Sequence, residues 1–445
     1  MMMDIHVNEK KSTVAKPAQD TPKSSLWLSN LDLLARRSHI WALYVYRFDG
    51  SSNFFDFQVL KDALSKALVT FYPLAGRLIK TGDDEGGRIE VDCNGAGAVL
   101  VEAATSSALD DLGDFTPSLQ LMKLFPTVHH YTLDISSCPI LLAQVTHFKC
   151  GGVSIGIGIH HTVVDGTSSI DFINYWSSLA RGLHQIPIPP PFMDRRRLQA
   201  RNPPTPLFDH VEYQLPPSLQ TPPTDTSQAA DPLVSKLMIS PNRLNLLMSK
   251  FKDEINEVRY STFEIVASHV WRCLCKARNL PQDEVTTIYV PTSGRARLRP
   301  PLPPAFFGSA VFIAAAVATV GDLLSSSGTL ASARIHDALA RMDDEYLRSA
   351  LDYLELQPDL TLMFRRSETC RFSNLGFVSW AKLPLYDADF GWGRPIYVGP
   401  PKVLYEGQAY LLPSPPDDHQ ARLYLLISLQ KQQMESFLHY FYSDL

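Results

Sequence analysis

The sequence has little of what several large classes of protein need. Its 46 Asp and Glu outnumber 41 Lys and Arg, the formal net charge is −5, and no long basic block occurs. Phosphate binding needs clustered Lys and Arg, so a nucleic-acid partner is excluded. The densest basic run, Arg195–Arg197, predicts a solvated loop. The longest apolar run, Ala305–Val320, is too short for a membrane helix and predicts a buried pair of strands.

Cysteine is also scarce. The six cysteines show no paired metal-ligand spacing, and Cys273-Leu274-Cys275 is one residue short of a CxxC motif. The stretch Met1–Thr21 is polar and lacks the apolar segment of a signal peptide. We therefore predict free thiols, no metal site, no membrane association and a cytosolic protein.

Strands and helices alternate along both halves of the chain, which predicts an α/β fold with two domains. Alternating apolar residues predict a β-hairpin from Ile140–Phe148 and Val153–Ile159, followed by a helix over Gly166–Leu183. The segment 187–231 is rich in proline and cannot be helix or central strand. We interpret it as a crossover between an N-terminal domain, 1–186, and a C-terminal domain, 232–445.

A histidine stands where the second hairpin strand gives way to the helix. Side chains two residues apart in a strand share a face, so a continued strand puts His161 on the isoleucine face and His160 on the glycine face. His161 then points inward and can act as a general base. Asp165, four residues later, suits a helix cap or an ion pair with an arginine, and Gly166 permits a tight turn. Without other support, a core histidine beside an Asp-Gly turn is the favoured interpretation, because the H-x-x-x-D spacing recurs by chance in long chains.

Two further motifs bear on function. Ser154 lies in a G-x-S-x-G pattern, but a nucleophile elbow needs a strand, a sharp turn and a helix, and here the serine lies within an alternating strand. The stretch 389–395 contains Asp389, Gly391, Trp392 and Gly393, with no nucleophile or base that has a clear partner. We interpret it as a structural bend that locks a loop, although Arg394 could instead meet a ligand phosphate.

The H-x-x-x-D-G motif at 161–166 and the D-F-G-W-G motif at 389–393, in this order, resemble the two signatures of plant BAHD acyl-CoA acyltransferases. The resemblance covers nearly the whole chain. Within the family, the sequence is similar to the hydroxycinnamoyl-CoA:shikimate/quinate hydroxycinnamoyltransferase branch and also to the rosmarinate synthase branch. It implies two chloramphenicol-acetyltransferase-like domains with mixed sheets and helices, and an active-site channel between them. Members of the family are usually monomeric.

The resemblance also implies a mechanism. Nε2 of His161 takes the proton from an acceptor hydroxyl, which attacks the thioester of a hydroxycinnamoyl-CoA. Trp380 matches a tryptophan beside the acyl group and is the candidate oxyanion donor. Asp165 is then structural, with Arg295 as its partner or as a CoA contact. Acyl-CoA is a co-substrate, and no permanently bound cofactor is implied.

Acceptor choice is where the chain departs from that branch. Arg365 matches an arginine that grips the acceptor carboxylate, for which a bidentate guanidinium is well suited. Where relatives read His-Thr-Pro-Ser, this chain reads His39-Ile40-Trp41-Ala42, and Val378 replaces a threonine. Ser293 replaces an aspartate. The loss of hydroxyls disfavours a polyol and favours a flatter aromatic acceptor.

Other hypotheses stay open at this point. The same donor could be used with an aromatic hydroxy acid, a phenolic alcohol or an amine. A non-enzymatic binding protein on the same fold and a serine hydrolase using Ser154 are the alternatives from other classes.

Overall fold

A computed structural model describes residues 5–82, 88–127, 135–183, 188–214, 232–250, 259–325, 328–363, 370 and 373–443. The chain forms two compact units. Unit 1 comprises Met1–Gln199, Leu302–Ala310 and Leu383–Lys402, and unit 2 comprises Ala200–Pro301, Val311–Lys382 and Val403–Leu445. The D-F-G-W-G motif therefore packs in unit 1, although the sequence placed it in a C-terminal domain. The predicted boundaries after residues 186 and 231 stay predictions.

The elements of the first half belong to unit 1. They are β1 (Val7–Ala15), β2 (Ser25–Trp27), α1 (Asn30–Leu34), β3 (His39–Tyr46), α2 (Phe57–Thr70), β4 (Arg77–Thr81), β5 (Arg88–Asp92), β6 (Ala98–Thr105), α3 (Leu119–Met122), β7 (Leu141–Phe148), β8 (Val153–His160) and α4 (Gly166–Ala180).

All but one of the elements of the second half belong to unit 2. They are β9 (Leu233–Ile239), α5 (Pro241–Lys250), α6 (Thr262–Ala277), β10 (Val285–Ser293), β11 (Val311–Thr319), α7 (Val320–Ser325), α8 (Thr329–Ala340), α9 (Asp344–Glu355), β12 (Leu375–Ser379), β13 (Tyr397–Gly399), β14 (Gln408–Pro413), β15 (Leu423–Leu429) and α10 (Lys431–Ser443). The exception, β13, joins unit 1.

Unit 1 is built on a mixed six-stranded sheet with the order β1-β6-β7-β8-β3-β13. The predicted hairpin is confirmed, because β7 and β8 pair antiparallel with Val145 opposite Ile155. Every residue of β8 is buried, as expected for a strand in the middle of a sheet. The helices α2 and α4 are joined by a hydrogen bond from Trp176 Nε1 to the Leu60 carbonyl, 3.0 Å long. The β2, β5 and β4 strands form a separate small sheet.

Unit 2 has its own mixed six-stranded sheet, ordered β11-β10-β12-β14-β15-β9. The β12 strand runs parallel to both of its neighbours, while the outer pairs are antiparallel. The capping box predicted at the start of α6 is present: Ser261 and Glu264 bond to each other's backbone N–H groups. Two units with mixed sheets and helices confirm the predicted α/β class.

Two predictions about the path of the chain are wrong, and a third can be compared with the structure only in part. Ala305–Val320 is a loop followed by the single strand β11, not a pair of strands. The apolar spacing over Leu330–Leu351 predicts one helix, but the structure has two, because Asp343 caps the start of α9. The described part of the predicted crossover, 188–214, contains short 3₁₀ turns at Arg195–Leu198 and Val211–Tyr213. Residues 215–231 of that segment lie outside the described residues.

A search of the described residues for helices long and apolar enough to cross a lipid bilayer finds none.

Candidate active site

The turn after β8 carries the candidate base. The strand ends at His160, one residue earlier than a continuous strand through His161 requires. The backbone N–H of His161 donates to the Ser38 carbonyl at 3.0 Å, and that of Val163 donates to His160 at 2.9 Å. His161 is thus the first residue of a tight turn, and its side chain is only partly buried.

The geometry fixes the tautomer of the His161 ring. Nδ1 lies 3.0 Å from the Val164 carbonyl oxygen, which can only accept a hydrogen bond. Nδ1 therefore carries the proton of the neutral ring, and the lone pair is on Nε2. Burial lowers the pKa of His161 below its ordinary value, and the bond to Val164 opposes this only in part. The ring is neutral near pH 7 and can accept a proton at Nε2.

The two neighbouring histidines are in a different environment. His39 and His160 are paired across β3 and β8, and their rings meet edge to face. Burial lowers the pKa of His39 to about 4 and that of His160 to about 3. His39 Nε2 also lies 2.8 Å from the Pro139 carbonyl. The separation of His160 from His161 agrees with the strand phase, and neither buried ring resembles a substrate-facing base.

The glycines of β8 explain why that face is closed. A Cβ atom at Gly158 would lie 2.2 Å from the Trp41 ring, and one at Gly156 would lie 2.2 Å from the Leu124 carbonyl oxygen. The sequence predicted that a backbone or a ligand approaches these glycines. In the structure the occupants are Trp41 and the backbone at Leu124, so this face is packed with protein.

Asp165 has the helix-capping geometry that the sequence predicted. Its side chain is fully buried, accepts the backbone N–H of Ser168 at 2.9 Å, and accepts that of Ala310 at 3.1 Å. The carboxylate is therefore committed to backbone groups at the start of α4. The pairing of Asp165 with Arg295 stays a prediction; Arg295 is partly buried just after β10, where its N–H approaches the Ser293 hydroxyl.

The structure does not support the tight turn that was predicted to require glycine at position 166. It is the first residue of α4 and is absent from the positive-φ glycines of the described residues, so no left-handed turn requires it. A Cβ there would lie 3.5 Å from Leu383, an ordinary contact distance. The tight-turn explanation for Gly166 is wrong, and nothing else in the structure demands glycine there.

Arg195 and Asp32 are the residues that sequence reasoning missed. Arg195 was predicted to be a solvated loop charge, but its side chain is fully buried and pairs with buried Asp32, with Nη1 2.9 Å from Oδ1. Its Nη2 donates to the Val163 carbonyl at 2.8 Å. The other two residues of the run, Arg196 and Arg197, are exposed as expected. No local signal marks Arg195, because its partners are distant in the sequence.

Ser154 does not have the surroundings of a nucleophile. It lies in the middle of β8, fully buried, with no turn beside it. A nucleophile elbow puts the serine at a sharp strand-to-helix turn, where its Oγ is accessible. The structure therefore agrees with the rejection of the G-x-S-x-G match.

The predicted acceptor positions on β3 divide between the two faces of the strand. Ile40 is paired with Ile159 and Ala42 with Ile157, and both are partly exposed. They lie on the same face of the sheet as the isoleucines of β8, the strand that leads to His161. His39 lies on the opposite face, buried against Trp41. Arg365 lies outside the described residues.

In unit 2, Val378 and Trp380 share one face at the end of β12. Both are partly buried, and the Trp380 ring packs edge to face against Tyr410, with centroids 5.7 Å apart. Tyr410 is also the partner of Val378 across the strand pair. Within the described parts of the chain the indole N–H of Trp380 makes no hydrogen bond, so a donor is available on this face.

The bend predicted at the D-F-G-W-G motif is present in unit 1. Asp389 Oδ1 accepts the N–H groups of Gly391 and Gly393 at 2.9 and 3.0 Å, and both glycines have positive φ. Phe390 is fully buried, while Trp392 packs on Phe55 with ring centroids 4.8 Å apart. The motif holds a loop by backbone capture and aromatic packing. Arg394 is exposed and lies 3.7 Å from Asp387.

No group of three or more His, Cys, Asp or Glu side chains that could hold a metal occurs among the described residues.

Comparison with known proteins now adds to this geometry. Residues 5–444 match the model of a family described as the transferase family. The chain belongs to the BAHD acyltransferase family. It is 50% identical over 441 residues to shikimate O-hydroxycinnamoyltransferase of Nicotiana tabacum, covering 98% of this chain and 100% of the relative. It is 46% identical over 443 residues to rosmarinate synthase of Plectranthus scutellarioides, with 98% and 100% covered.

Solved structures of BAHD type share the fold. Vinorine synthase matches with a TM-score of 0.72 at 20% identity, covering 97% of this chain and 96% of that one. TRI101 of F. sporotrichioides, solved with coenzyme A and T-2, matches with a TM-score of 0.69 at 20% identity, covering 94% and 97%. The fold and the acyltransferase class predicted from the two motifs are confirmed, whereas the roles of individual site residues stay predictions.

Proposed function

We propose that this acyltransferase moves a hydroxycinnamoyl group from CoA to the hydroxyl of a carboxylate-bearing acceptor, with His161 as general base. The observation that carries the proposal is the His161 ring: Nδ1–H is held by the Val164 carbonyl, and the pKa is lowered by burial. Such a ring is unprotonated at Nε2 near neutral pH. The similarity to shikimate O-hydroxycinnamoyltransferase of Nicotiana tabacum supports the donor and the acceptor class.

The reaction follows from this geometry. Nε2 of His161 removes the acceptor's hydroxyl proton while the oxygen attacks the thioester carbonyl. The tetrahedral oxyanion collapses, the C–S bond breaks, and the CoA thiolate receives the proton from the imidazolium. The indole N–H of Trp380 stabilises the oxyanion, where one donor typically contributes about 10²–10³ in rate. CoA is a co-substrate and leaves with each turnover.

The residues proposed to contact the acceptor are more apolar than a polyol requires. Ile40, Ala42 and Val378 offer no hydrogen bond to ring hydroxyls, so binding energy must come from apolar contact and from the carboxylate. We assign the carboxylate to Arg365. Shikimate or quinate is the first candidate acceptor, and an aromatic hydroxy acid is the second, which the similarity to rosmarinate synthase of Plectranthus scutellarioides supports.

A matrix of substrates tests the proposal. Coumaroyl-CoA and caffeoyl-CoA are each combined with shikimate, quinate, hydroxyphenyllactate and tyramine, and products are identified by mass. Ester products with the acids are expected. If tyramine alone were acylated, the carboxylate acceptor would be wrong; if no acceptor were acylated, the function itself would be wrong.

Two variants test the base. His161→Ala is expected to lower kcat by about 10²–10⁴, the typical contribution of a general base. Ser154→Ala is the control, because a buried strand serine is not expected to react. Turnover retained in His161→Ala, or lost in Ser154→Ala together with fluorophosphonate labelling of the parent protein, would contradict the assignment.

The proposal includes a cytosolic, monomeric enzyme. Its support is that all six cysteines are free thiols, and that Cys93, Cys273, Cys275 and Cys370 among them are buried. A fluorescent fusion and light scattering test the two statements; secretion or a stable dimer would contradict them.

A further inference from the structure

The buried ion pair of Arg195 and Asp32 holds the turn that carries His161. We propose that Arg195 and Asp32 are positioning residues for the acyl transfer, because they fix the Val163 carbonyl and through it the orientation of His161. This inference rests on the proposed role of His161 as the base. It assigns a catalytic consequence to two side chains that lie outside both family motifs.

The contacts of Arg195 lead directly into the motif. Its Nη2 donates to the Val163 carbonyl at 2.8 Å. The next carbonyl along the chain, that of Val164, receives the Nδ1–H of His161 at 3.0 Å. The two carbonyls belong to consecutive peptide planes that meet at the Cα of Val164, so a shift of the Val163 plane changes the backbone torsions at Val164 and with them the direction of the carbonyl that orients the imidazole.

Asp32 restricts the position of Arg195. Its Oδ1 is 2.9 Å from Arg195 Nη1 and accepts the N–H of Ser309 at 2.7 Å. Its Oδ2 accepts the N–H and the hydroxyl of Ser29 at 2.8 and 2.7 Å, in the capping box of α1. The carboxylate is held by these three hydrogen bonds, so its ion pair keeps the guanidinium of Arg195 beside it.

The turn that carries His161 is also held at its other end, at Asp165. Ser309 donates to Asp32, and the following residue, Ala310, donates to Asp165 at 3.1 Å. The chain on both sides of Val164 is therefore tied to one strip of backbone in unit 1. The result is a closed set of bonds around the base, made by Asp32, Arg195, Val163, Asp165 and Ala310.

Stability alone is a weak explanation for this arrangement. Burying an ion pair is costly, and replacing such a pair with apolar residues is often neutral or stabilising. A positional role explains why two charges are kept here, because a displacement of about 1 Å at a reacting group can lower the rate by roughly 10²-fold.

The experiment measures kcat, KM, pH dependence and melting temperature for Arg195→Met, Arg195→Lys and the double variant Asp32→Asn with Arg195→Met. We expect Arg195→Met to lower kcat by roughly 10- to 100-fold, with KM for the acyl-CoA within about 3-fold. The acid limb of kcat/KM should move up toward the ordinary histidine value, because a loosened turn admits water. Arg195→Lys should recover part of kcat, since it keeps a donor and the charge.

The double variant distinguishes the loss of the hydrogen bond to Val163 from the effect of leaving one buried charge without its partner. It removes both buried charges and should regain melting temperature relative to Arg195→Met, but not kcat, because the Val163 carbonyl still lacks its donor. Arg278→Met is the matched control: Arg278 is a buried arginine of unit 2 that bonds the Asn374 carbonyl at 2.8 Å and pairs with Glu406 at 2.6 Å. It should lose stability without a shift of the acid limb.

The outcomes distinguish this inference from the proposed function. If His161→Ala kept turnover, the base assignment would fail first. If His161→Ala were inactive while folded Arg195→Met kept the parent's kcat and pH profile, only the positioning role would fail. Recovery of kcat together with melting temperature in the double variant would also overturn it, because the pair would then be merely structural.

Discussion

Replacing Asp165 with alanine tests whether this motif residue is scaffold or chemistry. The substitution removes the cap of α4, which is worth about 1 kcal/mol, and leaves the buried N–H of Ala310 without its acceptor, at a cost of about 1–3 kcal/mol. From these two contacts we expect a loss of about 2–4 kcal/mol. For a domain of 150–250 residues, each kcal/mol lowers the melting temperature by about 2–4 °C.

The assay is thermal unfolding followed by CD, with kcat measured on the folded enzyme. Asp343→Ala is the matched control, because Asp343 caps α9 by accepting the Tyr346 N–H at 2.9 Å from an exposed position. It should lose only the cap contribution, so the difference between the two variants measures the buried N–H of Ala310.

Asp165→Asn completes the test. It keeps an oxygen for the Ser168 N–H but turns an amide NH2 toward the Ala310 N–H, so it should keep the cap and lose about 1–3 kcal/mol for the unpaired N–H. It should also lower the pKa of His161 further, since the Asp165 charge raises that pKa. Turnover of the folded protein should stay within about tenfold of the parent, as expected for a group that is not a proton donor or acceptor in the reaction. If Asp165→Asn remained folded at the assay temperature but were as inactive as His161→Ala, the scaffold interpretation would be refuted.

Three more outcomes are expected. The acid limb of kcat/KM should fall below pH 6.5, because burial lowers the pKa of His161 and keeps Nε2 unprotonated; a limb at or above 6.5 in stopped-flow data would contradict this. Val378→Thr, with Val378→Ala as control, should raise the shikimate-to-hydroxyphenyllactate ratio of kcat/KM about 2- to 10-fold, the effect of one net hydrogen bond; an unchanged ratio would remove Val378 from the acceptor site. Finally, burial lowers the pKa of His39 to about 4 and that of His160 to about 3, below the value of 6.5 expected for the unfolded chain. The contribution of the two neutral rings to stability is therefore complete above pH 6.5 and is lost as the pH falls from 6.5 toward these values. Urea titrations of the parent and of His39→Gln at pH 7 and pH 5 measure this; an equal pH slope for the two proteins would contradict it.

Sequence patterns predicted the elements that carry their own local signal. The alternation in β8 gave its start at Val153 and its end within one residue of His160, because a central strand is defined by its own apolar residues. The capping box of α6 was equally local. Two helices replaced one near Asp343 because a cap in mid-pattern breaks a helix whatever the apolar spacing.

The predictions that were wrong concern residues whose hydrogen-bond and ion-pair partners are distant in the sequence. Ala305–Val320 looked like strand throughout, but the N–H groups of Ser309 and Ala310 are captured by Asp32 and Asp165 rather than by a neighbouring strand. Arg195 looked like a surface charge for the same reason. Composition shows that an arginine is present, but its partners become apparent only when the folded chain brings Asp32 beside it.

The two faces of β3 show why acceptor choice can change in this fold without loss of the fold. His39 and Trp41 face the packed side, where Trp41 fills the space over Gly158 and even one added Cβ atom would clash. Ile40 and Ala42 face the other side and are only partly buried. Surface substitutions away from packed contacts usually change stability by less than about 0.5 kcal/mol, whereas core overpacking costs about 1–3 kcal/mol. Ile40 and Ala42, the proposed acceptor contacts, can therefore be substituted while the strand that leads to His161 stays the same.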